Sequence, residues 1–416
     1  KGDLAGGATG RNHGLLHSGA RYAVTDRESA AECIRENRIL RRIASGCVEQ
    51  TGGLFVTLPE DDIAYQKTFI ESCLAAGIKA EAIDPKEAVL MEPSVNPAIT
   101  GAVKVPDASV DPFRLTTSNV LDATLHGAEV LTYHEVISFV KDGDRVVGVK
   151  LKSTKTGEES EVRAEVTVNA AGIWGQRIAA MAGAQISMYP AKGSLLIFGH
   201  RVNKMVINRC RKASDGDILV PGDTVSVIGT TSTKVPFEQC DDIRVTDEEV
   251  RILLREGCSL CPSLSETRIL RAYAGVRPLV ASDDDPQGRN ISRGIICLDH
   301  ETRDGISGLI TITGGKMMTY RLMAEKASDM VCRKLGIDRK CSTATTKLAD
   351  PLVPMHQNDS ADNLVCECEK VTADDVKWAV DHLGVQTLED LRRRTRIGMG
   401  TCQGTYCIYK AARALA

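Results

Sequence analysis

Four cysteines near the C-terminal end of this 416-residue chain carry its most distinctive chemistry. Cys366 and Cys368 form C-E-C, Cys402 and Cys407 form C-Q-G-T-Y-C, and 33 residues lie between the two pairs. Close pairs separated by a helix-sized stretch can bring four thiolates to one place, and soft thiolate ligands select zinc, copper(I) or iron–sulfur clusters. Structural zinc favours a wider knuckle than C-x-C. The pattern therefore points to a [2Fe–2S] cluster and one-electron chemistry, with structural zinc or free thiols as the alternatives. The surroundings suit such a site. Thr372 with Asp375 and Thr387 with Asp390 are helix-start signals, and Gly398, Gly400 and Gly404 loosen the backbone around the second pair. Arg392, Arg393, Arg394 and Arg396 either offset a cluster's negative charge or form a solvated helix face.

A second kind of chemistry sits in three glycine-rich segments: A-G-G-A-T-G-R-N-H-G-L-L-H-S-G-A-R-Y at 5–22, V-N-A-A-G-I-W-G at 168–175 and I-T-I-T-G-G-K-M-M-T-Y-R at 310–321. Glycines where a strand hands over to a helix let backbone N–H groups approach a phosphate or a flavin carbonyl. One such segment can be an ordinary tight turn; three concordant ones point to a bound cofactor.

The elements that must position these residues read as α/β. An amphipathic helix is expected over 28–42. Strands are expected through 129–171, with a D-G-D hairpin turn at 142–144. A buried strand follows at 309–313 and a helix at 316–335. From 345 to 363 the composition loosens into a linker, and no internal repeat is visible. A formal charge of −3 and a pI near 6.3 exclude a nucleic-acid binder. No apolar run approaches the roughly 18 residues of a membrane span, and the opening K-G-D-L-A-G-G has no signal-peptide character. Cysteines scattered without a framework suggest a reducing compartment. The ten outside the C-terminal motif read as small buried hydrophobes.

Region 364–416 resembles the ferredoxin-like domain first known from bacterioferritin-associated ferredoxin, which implies Cys366, Cys368, Cys402 and Cys407 as cluster ligands. The rest of the chain resembles the flavoprotein glycerol-3-phosphate dehydrogenases. The segments that carry the likeness are G-A-T-G-R-N-H-G-L-L-H-S-G-A-R-Y, A-K-G-S-L-L-I, V-N-A-A-G-I-W-G, A-G-V-R-P-L and I-T-G-G-K-M-M-T-Y-R. The cysteine domain places the chain beside the anaerobic, multi-subunit members of that family; the aerobic single-subunit members lack it. The resemblance implies an FAD-binding doubly wound domain interleaved with an α+β substrate-binding sheet domain over 1–345, a linker over 346–363 and a small helical [2Fe–2S] domain over 364–416. The family's opening strand, its G-x-G-x-x-G and the acidic residue for the ribose are not in this sequence. Lys1 is expected to follow just after them, and the linker is short for the family, so missing segments are expected.

The resemblance also implies roles. Ala8, Thr9, Gly10 and Arg11 lie along the FAD pyrophosphate, with 13–17, His17 included, beside the isoalloxazine. Glu135 and Val136 offer backbone to adenine, and Ala171, Gly172 and Trp174 close a third side, although core packing is the better reading for Trp174 taken alone. Gly314, Gly315, Lys316 and Met317 put a helix N-terminus at the flavin edge that becomes negative on reduction. A phosphate dianion calls for cations, and Arg21 with Tyr22, Arg277 and Lys316 are the candidates, with Arg321 a weaker one. Arg277, Lys316 and His17 are the catalytic candidates. The aerobic relatives carry a histidine where Leu195 stands here, which leaves His17 as a substitute base and structural packing as its alternative. The implied reaction is oxidation of sn-glycerol 3-phosphate to dihydroxyacetone phosphate by hydride transfer to FAD. Electrons then pass through the cluster and the B and C subunits of a heterotrimer to menaquinone, on the cytoplasmic face of the bacterial inner membrane, with the chain peripheral to it. Two other readings compete: an FAD-dependent amine or amino-acid dehydrogenase subunit, which needs a carboxylate clamp instead, and a non-catalytic electron-transfer or scaffold subunit.

Overall fold

The computed structural model describes residues 1–280, 294–351 and 363–415. Its largest element is a mostly antiparallel sheet. Gly53–Thr57 lies between Gly101–Val105 and the parallel strand Val206–Arg209. The sheet continues through Ile218–Pro221 and Ser226–Gly229 to Met188–Phe198, which pairs along its other edge with Ile269–Val280. Strand residues alternate between faces. Leu54 and Val56 join Leu196, Phe198, Ile207 and Leu253 in one core, while Phe55 joins Val103, Ile34 and Phe69 in another on the opposite face. Both faces are covered by helices, Asp247–Leu260 on one and Arg27–Ile43 with Tyr65–Ala75 on the other. That burial is why these strands read as apolar runs rather than clean alternations.

Beside this sheet lies the smaller scaffold of the glycine-rich segments. Thr167–Asn169 runs parallel to Leu309–Gly314, which pairs antiparallel with Ile295–Asp299. The expected hairpin is present as His134–Asp142 and Arg145–Ser153, with Gly143 at φ 60° in its turn. The helix expected over 28–42 spans Arg27–Ile43, capped by the Asp26 side chain on the Ser29 N–H. The helix expected over 316–335 begins as a tight 3-10 turn, Met317–Thr319, before Tyr320–Lys334. Part of the expected linker, 352–362, lies outside the described residues. Its first part is packed instead of loose: the Leu348 N–H donates to the Ile43 carbonyl at 2.9 Å. All ten cysteines outside the C-terminal motif are free, and six are buried. Burial pushes the thiols of Cys33, Cys73 and Cys210 up to about 12, which suits small hydrophobes.

Arg321 departs from its expected role. It is buried, and its Nε and Nη2 form a fork onto Glu36 at 2.8 and 2.7 Å, with Glu325 beside it. It ties the last body helix to Arg27–Ile43 and is no phosphate ligand. Burial opposes the guanidinium charge, but Glu36 and Glu325 outweigh that and raise its pKa. Removing one partner strands the other in the interior, so Arg321→Met is expected to cost about 3–5 kcal/mol in urea unfolding. A loss under about 1 kcal/mol would mean that the fork contributes little.

Residues 364–415 form the hairpin Leu364–Cys366 and Val371–Thr372, followed by helices Ala373–His382, Leu388–Thr395 and Ile408–Leu415. Thr372 and Thr387 cap the first two, accepting from the backbone N–H groups of Asp375 and Asp390. This small fold is docked on the body through ion pairs. Arg394 forks onto Asp3 at 2.6 and 3.0 Å, both side chains 1% exposed. Arg396 reaches Asp111, Asp223 and Glu369 at 2.8 Å each. Of the arginine run, Arg393, Arg394 and Arg396 are therefore docking groups, an outcome that neither sequence reading contained. Burial alone raises the carboxyls of Asp3 and Asp111; Arg394 and Arg396 more than reverse it and hold both below the ordinary 3.8. A lowered folded pKa contributes stability above the unfolded value and loses it as the pH falls through the folded one. Acidification below about 3.8 is thus expected to strip hydrogen-exchange protection from Leu388–Thr395 before the body cores open. Simultaneous loss in both would contradict a docking role for these pairs.

Candidate active site and cluster site

A cleft of about 1220 Å³ runs between the sheet and the glycine-rich scaffold. It is lined by Ala8, Thr9 and Arg11, by His17, Arg21 and Tyr22, by Glu135 and Val136, by Ala171, Gly172 and Trp174, and by Arg277 and 314–317. Residues far apart in sequence are thus brought to one wall. Gly10 is the exception. A side chain there would meet the Ala5 carbonyl and Phe113, so this glycine turns inward to pack the loop on the helix Pro112–Leu125. Gly172 has φ 57° and open space where a side chain would stand, which leaves room for a planar ligand edge. Gly314 and Gly315, at φ 76° and 63°, turn the strand Leu309–Gly314 sharply into the helical turn behind it. The N–H of Lys316 is held by the Thr319 hydroxyl at 2.9 Å. A cleft of this volume, lined by three glycine-rich segments and a helix start, fits a dinucleotide such as FAD.

The cationic end is built from long-range pairs. Arg277 stands on Ile269–Val280 opposite Ala191. Its guanidinium donates to the carbonyls of Lys192 and Thr231 at 3.2 and 3.1 Å and to the Thr230 hydroxyl. Gly193 makes this possible: a β-carbon there would stand 2.5 Å from Arg277 Nη2. Lys192, next to it, is buried and paired with Glu249 at 2.7 Å, so it belongs to the support. Lys316 Nζ lies 4.9 Å from the Tyr22 ring centroid, and that ring is 5.5 Å from the His17 ring. Arg21 lines the same cleft with one nitrogen shared between Asp217 and the Ser214 carbonyl, both at 3.1 Å. Trp174 donates its indole N–H to Asp241 at 2.8 Å, and Glu135 pairs with Lys1 at 3.0 Å. Sequence reasoning missed Thr230, Gly193, Asp217 and the cluster-domain residues Glu389 and Arg393, which also line the cleft or hold its lining. No local pattern announces them, because strand pairing and docking alone bring them there.

In the C-terminal fold the four thiols are near enough to act on one another, Cys402 with Cys368 and Cys366, and Cys407 with Cys366 and Cys402. Burial pushes Cys402 up, but N–H donors of Gly404 and Tyr406 and the Cys368 thiol more than offset it and leave it low. Burial and then the charge of Cys366 push Cys407 up to about 12. Among the described residues no three His, Cys, Asp or Glu groups converge on a point for a single metal ion. Four neighbouring thiols supplied by two loops are a ligand set that a [2Fe–2S] cluster takes. Gly400 leaves the room needed, since a β-carbon there would stand 2.3 Å from that of Cys368.

Fold and site together define a flavin-dependent oxidoreductase body carrying a cysteine-ligated cluster domain. A family model described as FAD dependent oxidoreductase matches residues 1–321, and one described as BFD-like [2Fe-2S] binding domain matches 364–416. The anaerobic glycerol-3-phosphate dehydrogenase A subunit of Escherichia coli (strain K12) is 59% identical over 443 residues, covering 99% of this chain and 82% of that one. The protein of the same description from Haemophilus influenzae is 58% identical over 442 residues, covering 99% and 78%. A glycerol-3-phosphate dehydrogenase structure from Bacillus halodurans, complexed with FAD, shares the fold with a TM-score of 0.62 at 24% identity, over 83% of this chain and 61% of that one. The chain belongs to the family of anaerobic glycerol-3-phosphate dehydrogenase A subunits. FAD and a [2Fe–2S] cluster are the cofactors of its two matched families.

The glycines give a direct test of the cleft. A β-carbon on Gly275 would stand 2.6 Å from the Arg11 carbonyl, a backbone atom that cannot swing away. Gly275→Ala is expected to displace the 8–11 loop and weaken flavin retention by about tenfold or more, the change that about 1.4 kcal/mol produces. The check is flavin absorbance after dilution and ultrafiltration; parental retention would mean that the loop can shift without touching the cofactor.

Proposed function

We propose that the protein oxidises sn-glycerol 3-phosphate to dihydroxyacetone phosphate at FAD and delivers the electrons, through its cluster domain and partner redox subunits, to a quinone. The observation that carries this reading is the set of cations lining one cleft, with Lys316 over the Tyr22 ring beside His17, and Arg277 and Arg21 on the same lining. A phosphate dianion takes bidentate contact from a guanidinium and point charge from an ammonium. Arg277 is oriented by two carbonyls and a hydroxyl along the strand edge. Bound FAD supplies the hydride acceptor at this end. The chain's own groups orient the phosphate through Arg277 and Lys316, and in this reading His17, beside Tyr22, accepts the C2 hydroxyl proton. The helical turn Met317–Thr319 begins at the cleft wall, and its positive end favours the negative charge that develops on the flavin edge. The carboxylate-clamp alternative has less support, because a dianion justifies this cationic density better than a monoanion does.

Residues 346–363 connect the two catalytic parts in this reading, and the chain works with B and C subunits at the inner face of the bacterial membrane. No helix among the described residues is long and apolar enough to cross a membrane, which is compatible with peripheral attachment through partners. The experiment is anaerobic addition of sn-glycerol 3-phosphate to the flavin-loaded protein. The flavin band should bleach, and Arg277→Met should raise the concentration needed by about tenfold to a thousandfold, as expected for loss of a charged hydrogen-bond partner worth 1.5–3 kcal/mol or more. An unbleached flavin in the parental protein would return the assignment to amine or amino-acid substrates.

A further inference from the structure

The two loops that carry the cysteines are each bonded to a body segment that touches the flavin loop. Glu369, next to Cys368, is gripped by Arg396 at 2.8 Å and accepts from the Thr224 hydroxyl at 2.9 Å. Arg396 also holds Asp111, whose carboxylate caps Pro112–Leu125 on the N–H groups of Phe113 and Arg114. Phe113 packs under Gly10 in the flavin loop, while Leu121, further along the same helix, packs against the cluster-domain core. On the other side Gln403, next to Cys402, accepts from Arg271 Nε at 2.5 Å. Arg271, Tyr273, Gly275 and Arg277 alternate along one strand and share a face. Tyr273 donates to the Asn12 carbonyl at 2.8 Å, Gly275 lies against Arg11, and Arg277 reaches the cationic end. At ~3.3 Å per residue, Arg271 and Arg277 are roughly 20 Å apart, with the flavin loop between them.

We propose that the cluster domain is a fixed electron partner of the flavin in its own chain, seated by Arg396, and not a carrier that swings on the connecting segment. Arg396 is a positioning residue. It is buried at φ 65°, and it is the point where carboxylates from the flavin-side helix, the substrate sheet and the Cys368 loop meet. The proposal rests on the flavin and cluster reading above. The electron count is simple. The flavin reduced by the hydride yields two electrons and one proton, and the second proton of the substrate has already gone to His17. One iron of the cluster passes from ferric to ferrous with the first electron and is reoxidised by an external one-electron redox protein before it takes the second.

The test uses the full chain loaded with FAD and cluster, without external acceptor. Flavin bleaching and the electron paramagnetic resonance signal of the reduced cluster are followed after sn-glycerol 3-phosphate is added. In the parental protein the cluster signal should rise with the bleaching. Arg396→Met should bleach at a rate within about twofold of the parent, while the rise of the cluster signal slows by about tenfold or more, the change that about 1.4 kcal/mol in an activation barrier produces. Dithionite should then still give the parental signal, and Arg396→Lys should recover part of the rate. If Arg396→Met does not fold or loses its cluster, Asp111→Asn with Asp223→Asn weakens the same contacts and keeps the helix cap, and it is read the same way. A cluster reduced at the parental rate in a variant whose Leu388–Thr395 helix has lost hydrogen-exchange protection would overturn the proposal, and so would a parental cluster that stays oxidised beside a bleached flavin. Failure of the substrate to bleach the flavin counts against the substrate assignment alone. In that case photoreduction of the flavin replaces the substrate, and the cluster signal is scored identically.

Discussion

The antiparallel pairing of Met188–Phe198 with Ile269–Val280 is the constraint on which the rest of the molecule depends. It joins the substrate sheet to the wall of the cleft, and its register decides what stands where. Ala191 opposite Arg277 lets the guanidinium lie across Gly193; Gly193 opposite Gly275 leaves both strands bare where Arg11 must pass. A slip of one residue would exchange the two faces of the strand. Arg271, Tyr273, Gly275 and Arg277 would then leave the cluster loop, the flavin loop and the cationic end together. Geometry of this kind places several functional groups through one hydrogen-bonded ladder, so their spacing is as rigid as the sheet.

Charge is used in two ways in this chain. At the cleft, guanidinium and ammonium groups are oriented by carbonyls, hydroxyls and an aromatic face. Elsewhere buried arginines meet carboxylates directly: Arg321 with Glu36, Arg394 with Asp3, and Arg396 with Asp111, Asp223 and Glu369. Such pairs recover little net energy after desolvation, but losing one partner is costly, so they specify a single docked arrangement more than they stabilise it. Arg392 shows the other side of crowding cations. Burial, then the neighbouring Arg271, push its pKa down to about 10, and its Nε has no hydrogen-bond partner among the described residues.

Much of the local structure was legible in the sequence. Thr372 and Thr387 cap helices because a short oxygen-bearing side chain satisfies the first free N–H groups, a requirement that acts within four residues. The D-G-D turn and the G-G turn before Lys316 follow from the need for positive φ. The sequence likewise contained the cysteine pairs and the three glycine-rich segments. The roles of the other arginines were not legible. Arg321 and Arg394 are chemically identical to Arg277, and their neighbours in sequence do not show that each forks onto a buried carboxylate.

By itself, then, the sequence determined the element types, their caps and turns, and the two kinds of cofactor chemistry, because these depend on side-chain type and on spacings of a few residues. Tertiary structure alone decided that Gly10 turns inward while Gly172 faces the cleft, that Arg321 locks two helices, and that the arginine run clamps the cluster domain to the flavin side. The reason is physical. A charged side chain takes its role from whichever partner folding brings within about 3–4 Å, and those partners, Asp3 for Arg394 and Glu36 for Arg321, lie hundreds of residues away.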